Sequence, residues 1–253
     1  MEQNEYLKSR IMSNRELMKS DFANAEYESD QQKSIPQPPL TKPRAGGDTV
    51  PLTKDFSKVI KETNYLNLLE ERKSNRVYKD ENITLEQLAF LLWSTQGVKS
   101  IRGKNYATIR PVPSAGARHA FETYIAVFKV DGLERGIYHY LPMEHAIEFI
   151  TPVEDFNKAV SDSLCQQKWA ADSAAVFYYS AVPYRSEWRY CTDAHKAMLI
   201  DSGHVVQNLY LSCHAIGCGT CAIAAFDQKS ADELIGLDGN DEFVIYAAPV
   251  GVV

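Results

Sequence analysis

The feature that most constrains this chain is a long apolar segment toward its C-terminal end, HKAMLIDSGHVVQNLYLSCHAIG, residues 195–217. Its periodicity predicts the longest helix of the chain. Apolar or small residues step by four and three along one side: Leu199, Gly203, Val206, Tyr210 and Cys213. Because apolar residues cover most of its circumference, we expect this helix to be buried or to lie in a subunit interface.

The other segments predict helices and strands in an irregular order. Residues 83–97, ITLEQLAFLLWSTQG, predict a helix that Thr84 and Gln87 begin with a capping box and that Gly97 ends. Further helices are predicted at 152–173 and 230–236, and strands at 122–130, 136–140, 174–181 and 241–251. Because helices and strands do not alternate as βαβ units, the sequence predicts an α+β fold with a central, mostly antiparallel sheet flanked by helices.

The first residues differ in character from the rest of the chain. Residues 1–55 are expected to form an N-terminal arm, and residues 56–253 a single domain. Residues 1–35 are mostly polar, with enough apolar positions for one short helix. Residues 36–52, PQPPLTKPRAGGDTVPL, are rich in proline and glycine and predict an extended connector that resembles polyproline II.

Charge and composition exclude several classes of function. Among the 253 residues 33 are acidic and 27 basic, and the net charge of −6 gives no attraction to nucleic acid or to anionic membranes. No apolar run approaches the roughly 20 residues that span a bilayer, and the first residues lack the apolar core of a signal peptide. The 5 cysteines show no disulfide-framework spacing. We therefore expect a cytoplasmic protein without nucleic-acid or membrane partners.

A short basic run follows residue 70. The stretch ERKSNRVY, residues 71–78, places Arg72, Lys73 and Arg76 within five positions, with Ser74 between them. A guanidinium that binds two oxygens, a second cation and a hydroxyl donor match the needs of a phosphate group. A solvated helix end with ordinary surface charge accounts for the same residues, because short basic runs are common.

The stretch RPVPSAGARH, residues 110–119, combines prolines with small residues. Ser114, Ala115 and Gly116 would let the backbone approach a flat ring closely, because no large side chain stands in the way. An ordinary turn before a strand is the alternative. Farther along, Arg189 and Tyr190 follow a tryptophan and could donate and orient a proton, or could belong to a loop packed on the core.

Three apparent motifs overlap around residue 218. Residues 217–222 match G-x-G-x-x-A, but they close a helix, whereas a dinucleotide fingerprint follows a strand and opens a helix. Cys218 and Cys221 form a C-x-x-C pair beyond a helix C-terminus, where the helix dipole does not lower a thiol pKa. Cys213 and His214 bring the number of candidate metal ligands to four, yet neighbouring helical positions point to different sides. We expect no metal site, and small buried thiols in a glycine-rich turn.

In their order, six stretches resemble the nitroreductase-like flavoproteins, specifically their SagB-type dehydrogenase branch: RKSNRVY, LAFLLWSTQG, RPVPSAGARH, GIYHY, DSGHVVQNLYLSCHAIGCGTC and EFVIYAAPVG. The resemblance runs over residues 67–253. It implies an α+β flavin fold, a homodimer and FMN bound at the dimer interface. It also implies hydride transfer from NADH or NADPH through the flavin to a small electrophile such as a nitroaromatic or quinone, in a ping-pong cycle.

Residue by residue, the resemblance implies a set of FMN contacts. They are Arg72, Ser74 and Arg76 at the phosphate and ribityl chain, Lys73 at the phosphate or ring, Pro113, Ser114, Ala115 and Gly116 beside the ring, Gly217, Cys218 and Gly219 as a backbone wall, and Gln96 from the partner subunit. Arg72 or Lys73 is the candidate donor to the N1–O2 edge of the flavin.

One departure from the branch bears on the substrate. SagB-type enzymes that oxidise peptide azolines resemble one another in a Lys-Tyr pair, and here Arg189 precedes Tyr190. Arginine is a poor base because it stays protonated at any working pH. Peptide azoline oxidation is therefore an alternative, as is a flavin-binding dimer without enzymatic activity. Arg189 and Tyr190 are the only catalytic candidates that the sequence offers.

Overall fold

The computed structural model of this protein describes residues 2–20 and 22–253, with the side chains of residues 2, 3 and 23 excepted. Met1 and Asp21, both in the expected arm, lie outside the described residues. The helices are α1 (Glu2–Met18), α2 (Tyr65–Glu71), α3 (Leu85–Gln96), α4 (Phe156–Ser163), α5 (Tyr184–Tyr190), α6 (Ala194–Ala215) and α7 (Gln228–Leu234). The strands are β1 (Thr49–Pro51), β2 (Ser100–Arg102), β3 (Ala107–Ile109), β4 (Phe121–Val127), β5 (Gly136–Leu141), β6 (Ala146–Thr151), β7 (Ala175–Ala181), β8 (Cys218–Thr220) and β9 (Phe243–Val252).

A seven-stranded sheet in the order β1-β6-β5-β4-β7-β9-β8 forms the centre of the molecule, and each neighbouring pair is antiparallel. Alternate side chains of β4 enter two separate cores, with Ile125 in one and Tyr124 in the other. The first core includes residues of α3 and α6, and the second includes residues of α4 and α7. The predicted α+β fold with a mostly antiparallel sheet between helices is confirmed.

Helix α3 begins and ends as the sequence predicts. Thr84 accepts a hydrogen bond from the Gln87 backbone N–H at 3.2 Å, and the Gln87 side chain accepts from the Thr84 N–H at 2.8 Å. Gly97 follows the helix with φ at −59°, so it does not serve as a left-handed cap. Glycine is required there by space, because a Cβ would lie 2.5 Å from Cδ1 of Trp93.

The single helix predicted over residues 152–173 is wrong. The structure has α4 and then a short 3₁₀ helix, Lys168–Asp172. Between them, Cys165 and Gln166 take positive φ angles of 53° and 63°. Neither residue is a glycine, so the composition of the segment gives no sign of the break. Ser163 stabilises the end of α4 through its hydroxyl, which lies 2.8 Å from the buried hydroxyl of Tyr178 on the sheet.

The connector takes part in the sheet. Its last residues form β1, which pairs with β6 at the sheet edge, where Pro51 is tolerated because an edge strand need not donate on both sides. Just before β1, the backbone N–H groups of Ala45, Gly46 and Gly47 donate to the fully buried carboxylate of Glu148 at 2.7–2.9 Å. The division of the chain at residue 55 stays a prediction.

Helix α6 has 22 residues and is therefore about 33 Å long. Its C-terminal half is buried against α3 and the sheet, where Val206, Leu209 and Cys213 are at most 2% exposed. Its N-terminal half leaves Leu199 and Ile200 55% and 52% exposed. The C-terminal half of α6 is thus buried, and its N-terminal half is exposed on one side. No helix in the described ranges is both long and apolar enough to cross a membrane.

Candidate functional site

A cavity of about 470 Å³ lies at the C-terminal end of α6. Arg72, Lys73 and Asn75 line one side of it, and β8 lines another with Cys218, Gly219 and Thr220. Tyr210 and His214 of α6 also line the cavity. The structure therefore brings together the basic run near residue 72 and the glycine-rich turn near residue 218, which are about 145 positions apart in the sequence.

Local backbone structure explains why the basic run faces this turn. Asn64 caps α2, accepting from the Leu66 N–H at 3.0 Å, and the helix ends at Glu71. The chain then runs along the sheet edge, where the Asn75 N–H donates to the Thr220 carbonyl at 2.9 Å. The two segments are so close that a Cβ on residue 219 would lie 2.6 Å from Cγ of Asn75. Only glycine fits at that position.

Charges of both signs line the cavity: Glu70 and Glu71 lie beside Arg72 and Lys73, and Glu71 Oε2 is 3.0 Å from His214 Nε2. In the described part of the protein, no carboxylate oxygen lies within 4.0 Å of a side-chain nitrogen of Arg72, Lys73 or Lys61. The Arg72 guanidinium lies 5.4 Å from the ring centroid of Tyr210, which orients it. Lys61 Nζ would lie 3.3 Å from a Cβ at Gly217, whose φ is +77°. An anion such as phosphate would complete this arrangement.

Ser74 and Tyr210 are linked at the edge of the cavity. The Ser74 Oγ lies 3.0 Å from the Tyr210 hydroxyl, which also accepts from the Ala222 N–H at 2.9 Å. Since that hydroxyl already accepts from the backbone, its own hydrogen is available to Ser74. Tyr210 therefore fixes the positions of both the basic run and the turn after β8. The sequence patterns did not assign this role to Tyr210, and Lys61 stands in no recognisable motif.

Two predicted cofactor contacts lie elsewhere in the subunit. Arg76 is absent from the lining of the cavity, and its guanidinium lies 5.9 Å from the ring of Trp169. Gln96 is only 2% exposed, and its Oε1 accepts from Nη1 of the buried Arg110 at 2.6 Å. Within one subunit, neither residue joins Arg72 and Lys73, so their assignment to the cofactor stays a prediction.

The small-residue turn after Pro113 lies near the other half of α6. The Ala115 N–H donates to the Asp201 carboxylate at 3.0 Å, and the Ser114 Oγ accepts from the His119 N–H at 2.9 Å. Burial raises the pKa of Asp201. Gly116 has φ at +56°, and a Cβ there would lie 2.4 Å from the Tyr190 hydroxyl. Gly116 is thus left-handed, which favours glycine, and a side chain there would displace the Tyr190 hydroxyl.

Arg189 and Tyr190 lie against this turn at the end of α5. A Cβ on Gly116 would be 3.2 Å from Cζ of Arg189, and Arg189 Nη1 donates to the Tyr106 hydroxyl at 2.9 Å. Sequence reasoning brought Arg189 and Tyr190 forward but missed Tyr106 and Asp201. Neither of these belongs to a spaced motif, so only their contacts reveal them. This second region places the Tyr190 hydroxyl and the Arg189 guanidinium against the turn, and the assignment of the turn to a cofactor ring stays a prediction.

The cysteines behave as small buried side chains. Cys213, Cys218 and Cys221 are each at most 2% exposed. Burial raises the pKa of Cys218 to about 12 and that of Cys213 well above its ordinary value, so both thiols stay protonated. Among the described residues, no group of three or more His, Cys, Asp or Glu side chains is placed to hold a metal ion. The G-x-G-x-x-A match, residues 217–222, follows α6 and contains β8, so it does not open a helix.

Comparison with other proteins agrees with this fold. A protein of Methanocaldococcus jannaschii, named Putative nitroreductase, is 30% identical over 192 residues, which are 76% of this chain and 92% of that relative. The trifolitoxin-processing protein TfxB of Rhizobium leguminosarum bv. trifolii is 26% identical over 133 residues, 51% of this chain and 36% of TfxB.

Solved structures show the same architecture. A nitroreductase structure from Anabaena variabilis has a TM-score of 0.61 and 28% identity, covering 73% of this chain and 37% of that longer chain. A nitroreductase from Exiguobacterium sibiricum in complex with FMN has a TM-score of 0.54 at 13% identity, covering 76% of this chain and 89% of that one, a likeness of fold alone. Residues 69–252 match the family described as the Nitroreductase family. The fold, the similarity to the Methanocaldococcus jannaschii protein and this family match agree. The chain therefore belongs to the nitroreductase family.

Proposed function

We propose that this protein is an FMN-dependent NAD(P)H oxidoreductase that reduces a small electrophile such as a nitroaromatic or a quinone. The observation that carries the proposal is the cavity between Arg72, Lys73 and the Cys218–Thr220 strand, whose cations lack carboxylate partners in the described part of the chain. Membership of the family supports an oxidoreductase, and its relative from Exiguobacterium sibiricum holds FMN.

The residues of the cavity suit the phosphate end of FMN. A guanidinium held on a tyrosine ring, a lysine and a serine hydroxyl provide charge-assisted donors. The backbone at Gly217 and Gly219 has no side chain to block a close approach. When bound, FMN would supply hydride chemistry, taking two electrons from NADH or NADPH and delivering them to the acceptor. The residues of this chain would bind and orient the cofactor.

We propose that the protein acts as a homodimer that pairs along α6. Asp201, which holds the small-residue turn, and Tyr210, beside the basic cavity, are separated by nine positions and so by roughly 14 Å of helix. In the N-terminal half of α6, Leu199 and Ile200 are more than half exposed. A second subunit packed on α6 would cover Leu199 and Ile200. It would also bring its own small-residue turn toward the cavity of the first subunit.

The dimer can be tested without disturbing the subunit core. Because Leu199 is 55% exposed in one subunit, Leu199→Glu should leave the subunit folded and shift the mass measured by light scattering from dimer to monomer. Lys229→Glu, on the exposed surface of α7, is the matched control. A wild-type protein that is monomeric at all concentrations would contradict the proposal.

A second candidate is oxidation of a peptide azoline. It is favoured by the relation to the trifolitoxin-processing protein, and it is opposed by Arg189, which cannot act as a base as lysine can. Incubation with an azoline-containing peptide and detection of the two-mass-unit loss would distinguish the two reactions. A gain of that activity in Arg189→Lys would assign the difference to this residue.

An absorbance spectrum of the purified protein tests the proposed function directly. We expect oxidised flavin bands at about one per subunit, and bleaching by anaerobic NADH or NADPH. A colourless protein that cannot be reconstituted with FMN would overturn the cofactor assignment. A yellow protein that neither nucleotide reduces would favour peptide oxidation or a flavin-binding dimer without enzymatic activity.

A further inference from the structure

Tyr106 is a tyrosine whose hydroxyl receives hydrogen bonds from two directions. It lies where the turn between β2 and β3 ends. Arg189 Nη1 donates to its hydroxyl at 2.9 Å, and the Gln31 side chain donates at 3.2 Å. Two donors on one phenol oxygen stabilise the ionised form more than the neutral one.

The charges around this hydroxyl have the same effect. Three cations act on it: Arg102 next to its turn, Arg118 after the small-residue turn and Arg189 at the end of α5. Arg118 also donates to the Tyr106 backbone carbonyl at 2.7 Å, and its guanidinium lies 5.1 Å from the Tyr106 ring. Burial acts to raise the pKa of Tyr106, but the hydrogen bond from Gln31 and these charges outweigh it, and the pKa is lowered.

Position connects Tyr106 to the turn that we assign to the flavin ring. One guanidinium, that of Arg189, contacts both the Gly116 turn and the Tyr106 hydroxyl. Tyr106 is partly exposed, so its hydroxyl can exchange protons with water. The Arg189 guanidinium keeps its proton at any working pH, whereas the neighbouring Tyr106 hydroxyl can lose its proton.

We propose that Tyr106 is the acid–base residue of the reaction, with Arg189 as its positioning residue; this inference rests on the proposed function. In reduction of a nitro group, the acceptor takes up the hydride that the nicotinamide nucleotide supplied, and Tyr106 gives one proton to a nitro oxygen. One N–O bond breaks, and that oxygen leaves as water with the hydride's hydrogen and the proton, giving the nitroso compound. The Tyr106 phenolate then takes one proton from solvent.

A matched control lies close by. The Tyr184 hydroxyl contacts Asp30, next to Gln31 in the sequence, but there the tyrosine is the donor, at 2.9 Å. The hydrogen bond to that carboxylate raises the pKa of Tyr184. Tyr106→Phe and Tyr184→Phe therefore remove comparable hydroxyl contacts to the same N-terminal segment, and only the first removes an acidic phenol.

The first test does not depend on catalysis. Titration of the purified protein, followed by ultraviolet absorbance of tyrosinate, should show one tyrosine that ionises before the others. This step should disappear in Tyr106→Phe, move to higher pH in Arg189→Met and persist in Tyr184→Phe. An unchanged titration in Tyr106→Phe would overturn the inference, whether or not the proposed function holds.

The second test separates proton transfer from electron transfer. Nitrofurazone needs a proton when it is reduced, whereas ferricyanide takes only electrons. With flavin loaded, Tyr106→Phe should slow nitrofurazone reduction by about 10²-fold and leave ferricyanide reduction unchanged. The wild-type rate with nitrofurazone should fall as pH rises through the pKa of Tyr106, because the acid form is consumed, and this fall should be absent in the variant.

The outcomes distinguish the two proposals. Equal slowing with both acceptors, or no slowing with either, would overturn the role of Tyr106 while the flavin function stands. A wild-type protein that binds no flavin, or whose flavin neither nucleotide reduces, fails at the proposed function, and the tyrosinate titration still decides whether Tyr106 is the acidic phenol.

Discussion

Arginine side chains occupy two contrasting settings in this protein, the interior around Glu122 and the cavity at the end of α6. Glu122 lies on β4 and is 2% exposed, and its Oε1 accepts from Arg185 Nη2 at 2.5 Å and from the Lys42 N–H at 2.7 Å. Its Oε2 accepts from Nε2 of His139 at 3.0 Å. Arg72, by contrast, has no carboxylate oxygen of the described residues within 4.0 Å of its side-chain nitrogens, although Glu70 and Glu71 line the same cavity.

The two settings differ in function: the ion pairs of Glu122 stabilise the folded subunit, whereas Arg72, unpaired among the described residues, is free to bind an anionic ligand. Burial acts to raise the pKa of Glu122, but Arg185, His139 and the Lys42 N–H outweigh it and lower that pKa to about 2. The carboxylate is therefore ionised at neutral pH, and its partners are supplied by the chain. Around Arg72 the described chain supplies an aromatic ring, and the carboxylates of Glu70 and Glu71 that line the same cavity form no ion pair with it. Substitution of Glu122 should therefore lower the stability of the protein, and substitution of Arg72 should weaken cofactor binding.

The largest effect is expected from Glu122→Gln. This change removes the charge that faces Arg185 and leaves a buried guanidinium unpaired. We expect the free energy of unfolding to fall by about 3–5 kcal/mol, measured by urea denaturation. The exposed Glu233, 3.6 Å from Lys229, is the control, and Glu233→Gln should change stability by less than about 0.5 kcal/mol. Equal effects of the two changes would remove the contrast between interior and surface charge.

A smaller effect, in binding and not in stability, is expected from Arg72→Ala. Loss of a charge-assisted hydrogen bond to a phosphate should weaken FMN binding by about 1.5–3 kcal/mol, or roughly 10- to 150-fold. Urea denaturation of the FMN-free protein should be nearly unchanged. Lys168→Ala, an exposed cation outside the cavity, is the control for net charge. Unaltered FMN affinity in Arg72→Ala would show that the unpaired cations have another role.

The pH dependence of stability probes another buried group, His119. Burial lowers its pKa to about 3, with Arg110 and Arg118 adding to the effect. Because an unfolded histidine binds its proton near pH 6.5, the unfolded state gains protons first. Stability should therefore fall as the pH drops from about 6.5 toward 3, by up to about 1.4 kcal/mol per pH unit.

The variant His119→Asn should flatten this fall. Asparagine suits the position because His119 has a positive φ of 46°, a conformation that asparagine tolerates. The free energy of unfolding at a series of pH values, measured by urea denaturation, provides the check. The same slope in the variant and the wild type would assign the acid sensitivity to other groups.

The smallest effect is expected from Asn64→Ala at the start of α2, the helix that leads to Arg72. Loss of the cap should destabilise α2 by about 1 kcal/mol. Since α2 has no buried residues, this should appear as faster amide exchange over residues 65–71 and not as a lower unfolding midpoint. Asn64→Asp keeps the capping oxygen and should behave like the wild type. A lowered midpoint would mean that α2 is coupled to the core.

Much of the fold follows from local sequence patterns. The apolar periodicity of residues 195–217 gives α6, the capping residues Thr84 and Gln87 give the start of α3, and the β-branched and aromatic runs give β4, β5, β7 and β9. Each of these signals acts between residues a few positions apart, so it can be read directly from the sequence. The order of the motifs was enough to indicate the nitroreductase family.

The sequence by itself therefore determined the main helices and strands, the family, and Arg72 and Lys73 as candidates for an anion site. Tertiary structure alone decided which groups the charged side chains meet, because the Lys42 ammonium pairs with Glu242 across 200 positions and Arg189 donates to the Tyr106 hydroxyl across 83. It also decided that Arg76 lies over Trp169 and that the chain breaks after α4. The physical reason is that hydrogen bonds and ion pairs between distant segments depend on how the sheet brings them together, and no local spacing records that arrangement.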